Sequence, residues 1–335
     1  MTIYYLRTDG NDSNAGTSDS SGGAWATFSH AKDVAVAGDT VMVRASAGNA
    51  ASYPTSSLDY TISSYFTPAS GSASAGFVRW IGYNGIPTIS CPGLAFYTAS
   101  GQWFEGLYFV GVSGANGGFG VLNIIDSVVK SCIVNLNDQG GLVGIRSNGS
   151  ELINTEVYGG TVSPTSSSGS YGIYTENYVT HIDGCKIHHC REHGIYVGVG
   201  AVVEDTTVYL NVGDGIYLNG SSLVMGRIDR CTINNNKGHG INLPGTNTAF
   251  YSTIRNNSIT NQTQSGKYGI NAATSSSDKR KVAWGYNNVW NNTGNYNNVT
   301  ADPTDISVDP GYVDAANGNF RPTNSLMHAG FPTSF

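Results

Sequence analysis

His193, Asp214 and His239 each stand directly before a glycine, in the pieces HGIYV, DGIYL and HGINL, and Arg191 and Glu192 run just ahead of the first. Two imidazoles and a carboxylate in one row can hold and pass protons near neutral pH, as general acid–base cleavage of a glycosidic bond requires. On this reading His193, Asp214, His239 and Glu192 are candidate catalytic residues. Turn positions also favour polar residues for their own sake, so a hydrogen-bonded corner ladder is the alternative on the same residues. Two residues after each glycine a second row, expected to face outward, reads Leu122, Arg146, Tyr174, Tyr196, Tyr217, Asn242 and Asn271. Arg146, Tyr174, Tyr196, Tyr217 and Asn242 are the candidate carbohydrate contacts, since a tyrosine ring offers an apolar face and a polar tip. The alternative is that such a strip is a subunit contact in a trimer, since aromatics are enriched there too.

These rows exist because the chain repeats. The pieces FGVLN, VGIRS, YGIYT, HGIYV, DGIYL, HGINL and YGINA place Gly120, Gly144, Gly172, Gly194, Gly215, Gly240 and Gly269 at gaps of 21 to 29 residues. A β-branched residue follows each glycine, which suits an inward strand position. The glycine itself is expected at a corner with unusual backbone angles. The residues just before these glycines, Phe119, Val143, Tyr171, His193, Asp214, His239 and Tyr268, should form a partly exposed row. A further row runs through Leu107, Cys132, Thr155, Cys185, Thr206, Cys231, Asn257 and Asn287, each followed two residues later by an apolar one. Period-two alternation puts both members on one strand face. Two strand rows with variable gaps describe a solenoid whose coils stack at the sheet spacing of about 4.8 Å.

Composition narrows the function classes. Only 12% of residues are charged and the net charge is −6, against the basic surface that nucleic-acid binding needs. The one basic run, Lys279 to Lys281, reads as a solvated loop. No apolar stretch is long enough for membrane insertion. The start, MTIYYLRTDG, lacks the regions of a secretory signal, so the expectation is either that a signal has been removed or that the protein leaves its cell by another route such as lysis. The 39% of apolar residues, with 20 Tyr, 11 Phe and 5 Trp, argue against disorder. Five cysteines without CxxC or zinc spacing signal neither a disulfide framework nor a metal site, and nothing implies a cofactor. Three of them occupy one inward row in alternate coils, roughly 10 Å apart, beyond disulfide reach. They are expected to be buried small hydrophobes.

The ends of the chain carry a resemblance. IYYLRTDGNDSNAGTSDSSGGAWATFSHA, followed by AGDTVMVRA, resembles the opening segment of right-handed parallel β-helix proteins of the pectin-lyase-like superfamily. Its RTDGNDSN start and GGAW before a short helix look most like versions in bacteriophage virion proteins. The tail, DPGYVDAANGNFRPTNSLMHAG, is similar to the closing segment of the same superfamily. The resemblance implies an all-β, single-stranded right-handed parallel β-helix. Residues 1–50 form the opening strand and capping helix, 51–300 the coils and 301–335 the closing segment of one continuous domain. It leaves activity open, because the superfamily spans polysaccharide lyases, hydrolases, epimerases, tailspikes and inactive structural members. No lyase motif is matched. The leading expectation is a trimeric phage virion spike or fibre, tailspike-like, that contacts host-surface polysaccharide alongside other virion proteins. The alternatives are a polysaccharide-degrading enzyme, tailspike-borne or secreted, and a non-catalytic capsid or tail decoration protein.

Overall fold

Each coil turns through three short parallel strands, here called faces A, B and C, where the sequence rows had suggested two. The computed structural model describes residues 1–46, 58–62, 66–72, 74–92, 96–112, 120–138, 141–160, 170–219, 225–244, 251–272 and 282–325. Phe119 and Lys279 to Lys281 lie outside the described residues. The chain divides into two compact units, Met1–Thr161 and Val162–Phe335.

In the first unit, face A stacks Ile3–Leu6, Thr40–Arg44, Val78–Tyr83, Gln102–Glu105, Val128–Lys130 and Glu151–Ile153. Faces B and C, which end in Glu156–Tyr158 and Val143–Asn148, complete the coils. The one α-helix among the described residues, Phe28–Val34, is capped by Thr27, whose side chain accepts the His30 N–H. It sets Phe28 against Tyr60, Phe66 and Trp80. Asp12 anchors the approach by accepting the Ala26 and Thr27 N–H groups. An apolar helix face over aromatic rings keeps water from the end of a stacked core, which no further coil would otherwise cover.

In the second unit, face A runs from Thr180–Asp183 to Val282–Gly285, face B from Lys186–His188 to Asn288–Trp290, and face C from Ile173–Thr175 to Gly294–Asn297. The register is residue on residue: Tyr174 pairs with Tyr196, Tyr196 with Tyr217, and Tyr217 with Asn242. Inside run polar ladders. The Cys185 N–H donates to Thr206 Oγ1 at 3.2 Å, the Cys231 N–H to Asn257 Oδ1 at 2.9 Å and the Asn257 N–H to Asn287 Oδ1 at 3.1 Å. A second ladder, absent from the sequence reading, links Cys190 to Asn211, Asn236, Gln262 and Asn292. Asp305 ends the first ladder by accepting both the N–H and the side-chain amide of Asn287. The hairpin Tyr312–Asp314 and Asn319–Pro322 then lies over face B, with Phe320 against Tyr209, which is 3% exposed. The outward tyrosine of face B is therefore covered by the protein's own tail.

The missed face A was in step with the rest. Its inward residues, Phe104, Val129, Leu152, Ile182, Val203, Ile228 and Ile254, each precede the cysteine–threonine–asparagine row by three. Between them sits one left-handed residue, including Gly106, Ser131, Asn154, Gly184, Asp205, Arg230 and Asn256, which breaks the period-two alternation. This row makes the tight corner. The repeated glycines do not: Gly172, Gly194, Gly215, Gly240 and Gly269 are absent from the positive-φ residues. They are small because a Cβ would collide with the neighbouring coil, as at Gly215, where it would come 2.6 Å from Ile233 and 2.7 Å from the Gly240 carbonyl. The first repeat is also one residue out of step. Gly120 pairs with Val143, so Arg146 stands beside Asn123, and Leu122, expected outward, is fully buried.

All five cysteines are free and buried. Burial pushes the Cys132 and Cys231 thiols up to about 12, which removes the thiolate that redox or nucleophilic chemistry would need.

Candidate functional site

His193, Asp214 and His239 do form one row at the corner that leads into face C, and the geometry of that row is a ladder. The Asp214 N–H donates to His193 Nδ1 at 2.9 Å, the His239 N–H to Asp214 Oδ1 at 2.6 Å and the Tyr268 N–H to His239 Nδ1 at 3.0 Å. Each side chain satisfies a backbone donor one coil further on. Asp214 also accepts from the Asn242 amide at 2.7 Å and lies 3.5 Å from His193 Nδ1. These partners cover it: Asp214 is 5% exposed, not partly exposed as expected. Beyond it the Asn271 amide donates to Asn242 Oδ1 and the Asn297 amide to Asn271 Oδ1. Asn242, itself buried, holds Asp214 in place.

An imidazole whose Nδ1 accepts an N–H must be neutral and carry its proton on Nε2. Both histidines fit this. Burial lowers the pKa of His193 below its ordinary value although Asp214 and Glu192 oppose it, and Lys267 adds to the lowering. For His239 burial is again the leading cause, opposed by Asp214.

Glu192 is placed differently. Its side chain is 26% exposed, its Oε1 accepts the Tyr171 hydroxyl at 3.2 Å, and the same oxygen lies 3.9 Å from His193 Nε2. The His193 ring stacks between Tyr171 at 5.7 Å and Tyr217 at 4.5 Å. Tyr171 was legible as a member of the corner row, but an aromatic in a row of histidines and an aspartate did not read as a partner. Face C carries the rest of the surface. Tyr174 and Tyr196 stack at 4.7 Å with 5° between their planes, and Tyr196 and Tyr217 at 5.1 Å with 16°. Because the rings face one another along the stack, what they turn outward is mainly ring edges and hydroxyls. Burial raises the pKa of Tyr196 to about 12, helped by Tyr174 and Tyr217, so its phenol remains a donor at neutral pH. Arg146 belongs to the strand Val143–Asn148 of the first unit and is half-buried.

Among the described residues no three metal-ligating side chains converge, and no helix is long and apolar enough to cross a membrane. The site can therefore be described in two layers: a buried row of backbone acceptors, and an outer surface of three stacked tyrosines, Tyr171, Glu192 and the His193 Nε2–H.

A family described as the right handed beta helix region matches residues 105–293. No curated protein matches the chain. Among solved structures the fold is similar to pectate lyase Pel9A, with a TM-score of 0.61 and 16% identity over 93% of this chain and 83% of that one. It is also similar to a rhamnogalacturonan lyase, with a TM-score of 0.54 and 15% identity over 80% of this chain and 74% of that one. The Dettilon tailspike protein (gp208) gives a TM-score of 0.50 and 15% identity over 92% of this chain and 63% of that one. At these identities the likeness is one of fold.

Proposed function

Since the chain belongs to the right-handed β-helix family, we propose that it is a spike or fibre protein of a bacteriophage particle that contacts host-surface polysaccharide through Tyr174, Tyr196 and Tyr217. The observation that carries the glycan reading is the in-register stack of these three half-buried rings, which spans about 10 Å at the sheet spacing. A sugar chain running along it would meet C–H edges and phenol donors in alternation, the mixed apolar and polar surface that carbohydrate sites use. The particle location is supported by the virion-like opening segment and by the fold shared with a tailspike protein. In this reading the protein is a homotrimer that also contacts other virion proteins, and Asn242, paired with Tyr217, supports the end of the contact surface.

A second reading, a polysaccharide-degrading enzyme, is favoured by one arrangement: the partly exposed Glu192 beside the Tyr171 hydroxyl and the His193 Nε2–H. There Glu192 would be the base or acid, His193 would orient it, and Asp214 and His239 would hold His193. A glycan array read in parallel with a reducing-end assay separates the two. Binding without new reducing ends or unsaturated products supports the spike; turnover that Glu192→Gln abolishes supports the enzyme. Silence in both, with a monomer in light scattering, would defeat both readings and leave a decoration protein.

A further inference from the structure

We infer that Tyr171, Glu192 and His193 form a subsite for an uncharged sugar presenting neighbouring hydroxyls, set beside the tyrosine row. The inference rests on the reading that this row contacts glycan.

The Glu192 carboxyl group is held in place without a cationic partner among the described residues. Its Oε1 accepts the Tyr171 hydroxyl at 3.2 Å and lies 3.9 Å from His193 Nε2, beyond hydrogen-bond length, so a neutral phenol is what points the carboxylate. The imidazole cannot turn to neutralise it, because His193 Nδ1 is already committed to the Asp214 N–H. Among the described residues no lysine or arginine pairs with Glu192. Lys267, which acts electrostatically on both histidines, lies three coils further along the row, about 14 Å away at the sheet spacing. A carboxylate has about four acceptor positions, and both of the contacts above fall on Oε1, so Oε2 is left for a ligand. The groups that fit are hydroxyls, and two adjacent ones on a sugar ring can share the carboxylate. A uronate or sulfated sugar at the same place would meet a like charge.

Position makes this a sugar site and not merely an exposed acid. The His193 ring, one residue from Glu192, stacks directly on Tyr217 and Tyr171, and Tyr171 also lies 5.2 Å from Tyr196. A sugar lying against the tyrosine edges therefore brings its hydroxyls to Glu192 without leaving the aromatic surface.

The test is an array of immobilised oligosaccharides that pairs each neutral hexose chain with its uronate counterpart, probed with wild-type protein, Glu192→Gln, Tyr171→Phe and Tyr196→Ala. Glu192→Gln preserves shape, and unchanged circular dichroism and melting confirm that it folds. Wild type should prefer the neutral member of a pair by about tenfold, and Glu192→Gln should lose most of that preference. Tyr171→Phe should weaken neutral binding by a smaller factor. A wild-type preference for uronates overturns the inference. So does an unchanged preference in Glu192→Gln while Tyr196→Ala weakens binding, an outcome that leaves the glycan reading standing. If Tyr196→Ala leaves every bound glycan unaffected, or wild type binds none, the underlying reading fails and takes the subsite with it.

Discussion

The cores of the two units share aliphatic residues and inter-coil hydrogen bonds but lean on different materials, aromatic rings in the first and amide ladders in the second. In the first, Trp25, Phe28, Phe66, Trp80, Phe104 and Phe109 are at most 2% exposed; Phe28, Phe66 and Trp80 interlock, Phe104 meets Phe109 edge to face, and Trp25 stacks on Tyr4. In the second, Thr206, Asn211, Asn257, Gln262 and Asn287 are fully buried and joined by ladders of hydrogen bonds. Aromatic packing tolerates coils of different outline, because each ring fits its own surroundings. An amide ladder works only if every coil presents its acceptor at the same place, since a slipped coil would strand buried donors. The ladders therefore fix the register of the second unit, and the same register brings Tyr174, Tyr196 and Tyr217 into one outward stack. The candidate site stands where the interior is most regular.

Removing one member of each core is the sharpest way to break the comparison. Trp80→Ala should cost about 3–5 kcal/mol, by analogy with large-to-small core changes, because it deletes a fully buried ring and orphans the Gln102 oxygen bonded to its Nε1. Denaturant unfolding would measure this, and no replacement smaller than an aromatic should restore it. Asn257→Ala should cost less, about 2–3 kcal/mol, by leaving the buried Cys231 N–H without its acceptor and removing the amide's bonds to the Ile228 carbonyl and Asn287. Asn257→Thr should recover part of that loss, since Thr206 performs the same task for Cys185. If threonine recovers nothing, the ladder account of the second unit is wrong.

The second unit should also be the pH-sensitive one. His193 and His239 have pKa values lowered in the folded protein, mainly by burial, so the unfolded chain binds protons first as the solution is acidified. Their contribution to stability is complete above the ordinary histidine pKa of 6.5 and is lost as pH falls through the lower folded values. Melting temperature should therefore fall below about pH 6.5, ahead of the carboxylates. The double variant His193→Asn and His239→Asn keeps an acceptor at each corner but cannot titrate in this range, so it should flatten that part of the profile. The smallest effect on stability is expected at the surface. Tyr196→Ala should change unfolding by only about 1 kcal/mol, since one half-buried ring leaves a stack, while weakening glycan binding about tenfold.

The same difference decides what could be read from the chain. Repeats surfaced most clearly between Gly172 and Gly269 because a ladder demands similar residues at equivalent positions, and Cys231, Asn257 and Asn287 announce themselves that way. Face A stayed hidden, as one left-handed residue per coil shifts its inward positions from a spacing of two to three. The glycine row was visible but its cause was not, because contact between coils leaves no trace in local sequence. At the site, the His193–Asp214–His239 row was legible, whereas its direction was not: whether a side chain faces solvent or the next coil's N–H depends on the fold of the corner. Burial of Tyr209 beneath Phe320 joins residues more than a hundred positions apart, and no periodicity reports it.

The most direct test of the glycan surface is a titration of isotope-labelled tyrosine with the best-binding oligosaccharide from the array, followed by the ring resonances. The account predicts that Tyr174, Tyr196 and Tyr217 shift together in one saturable transition, while Tyr108 and Tyr158, whose buried hydroxyls contact each other at 2.9 Å, stay in place. Saturable binding that leaves the three stacked rings unshifted would contradict it.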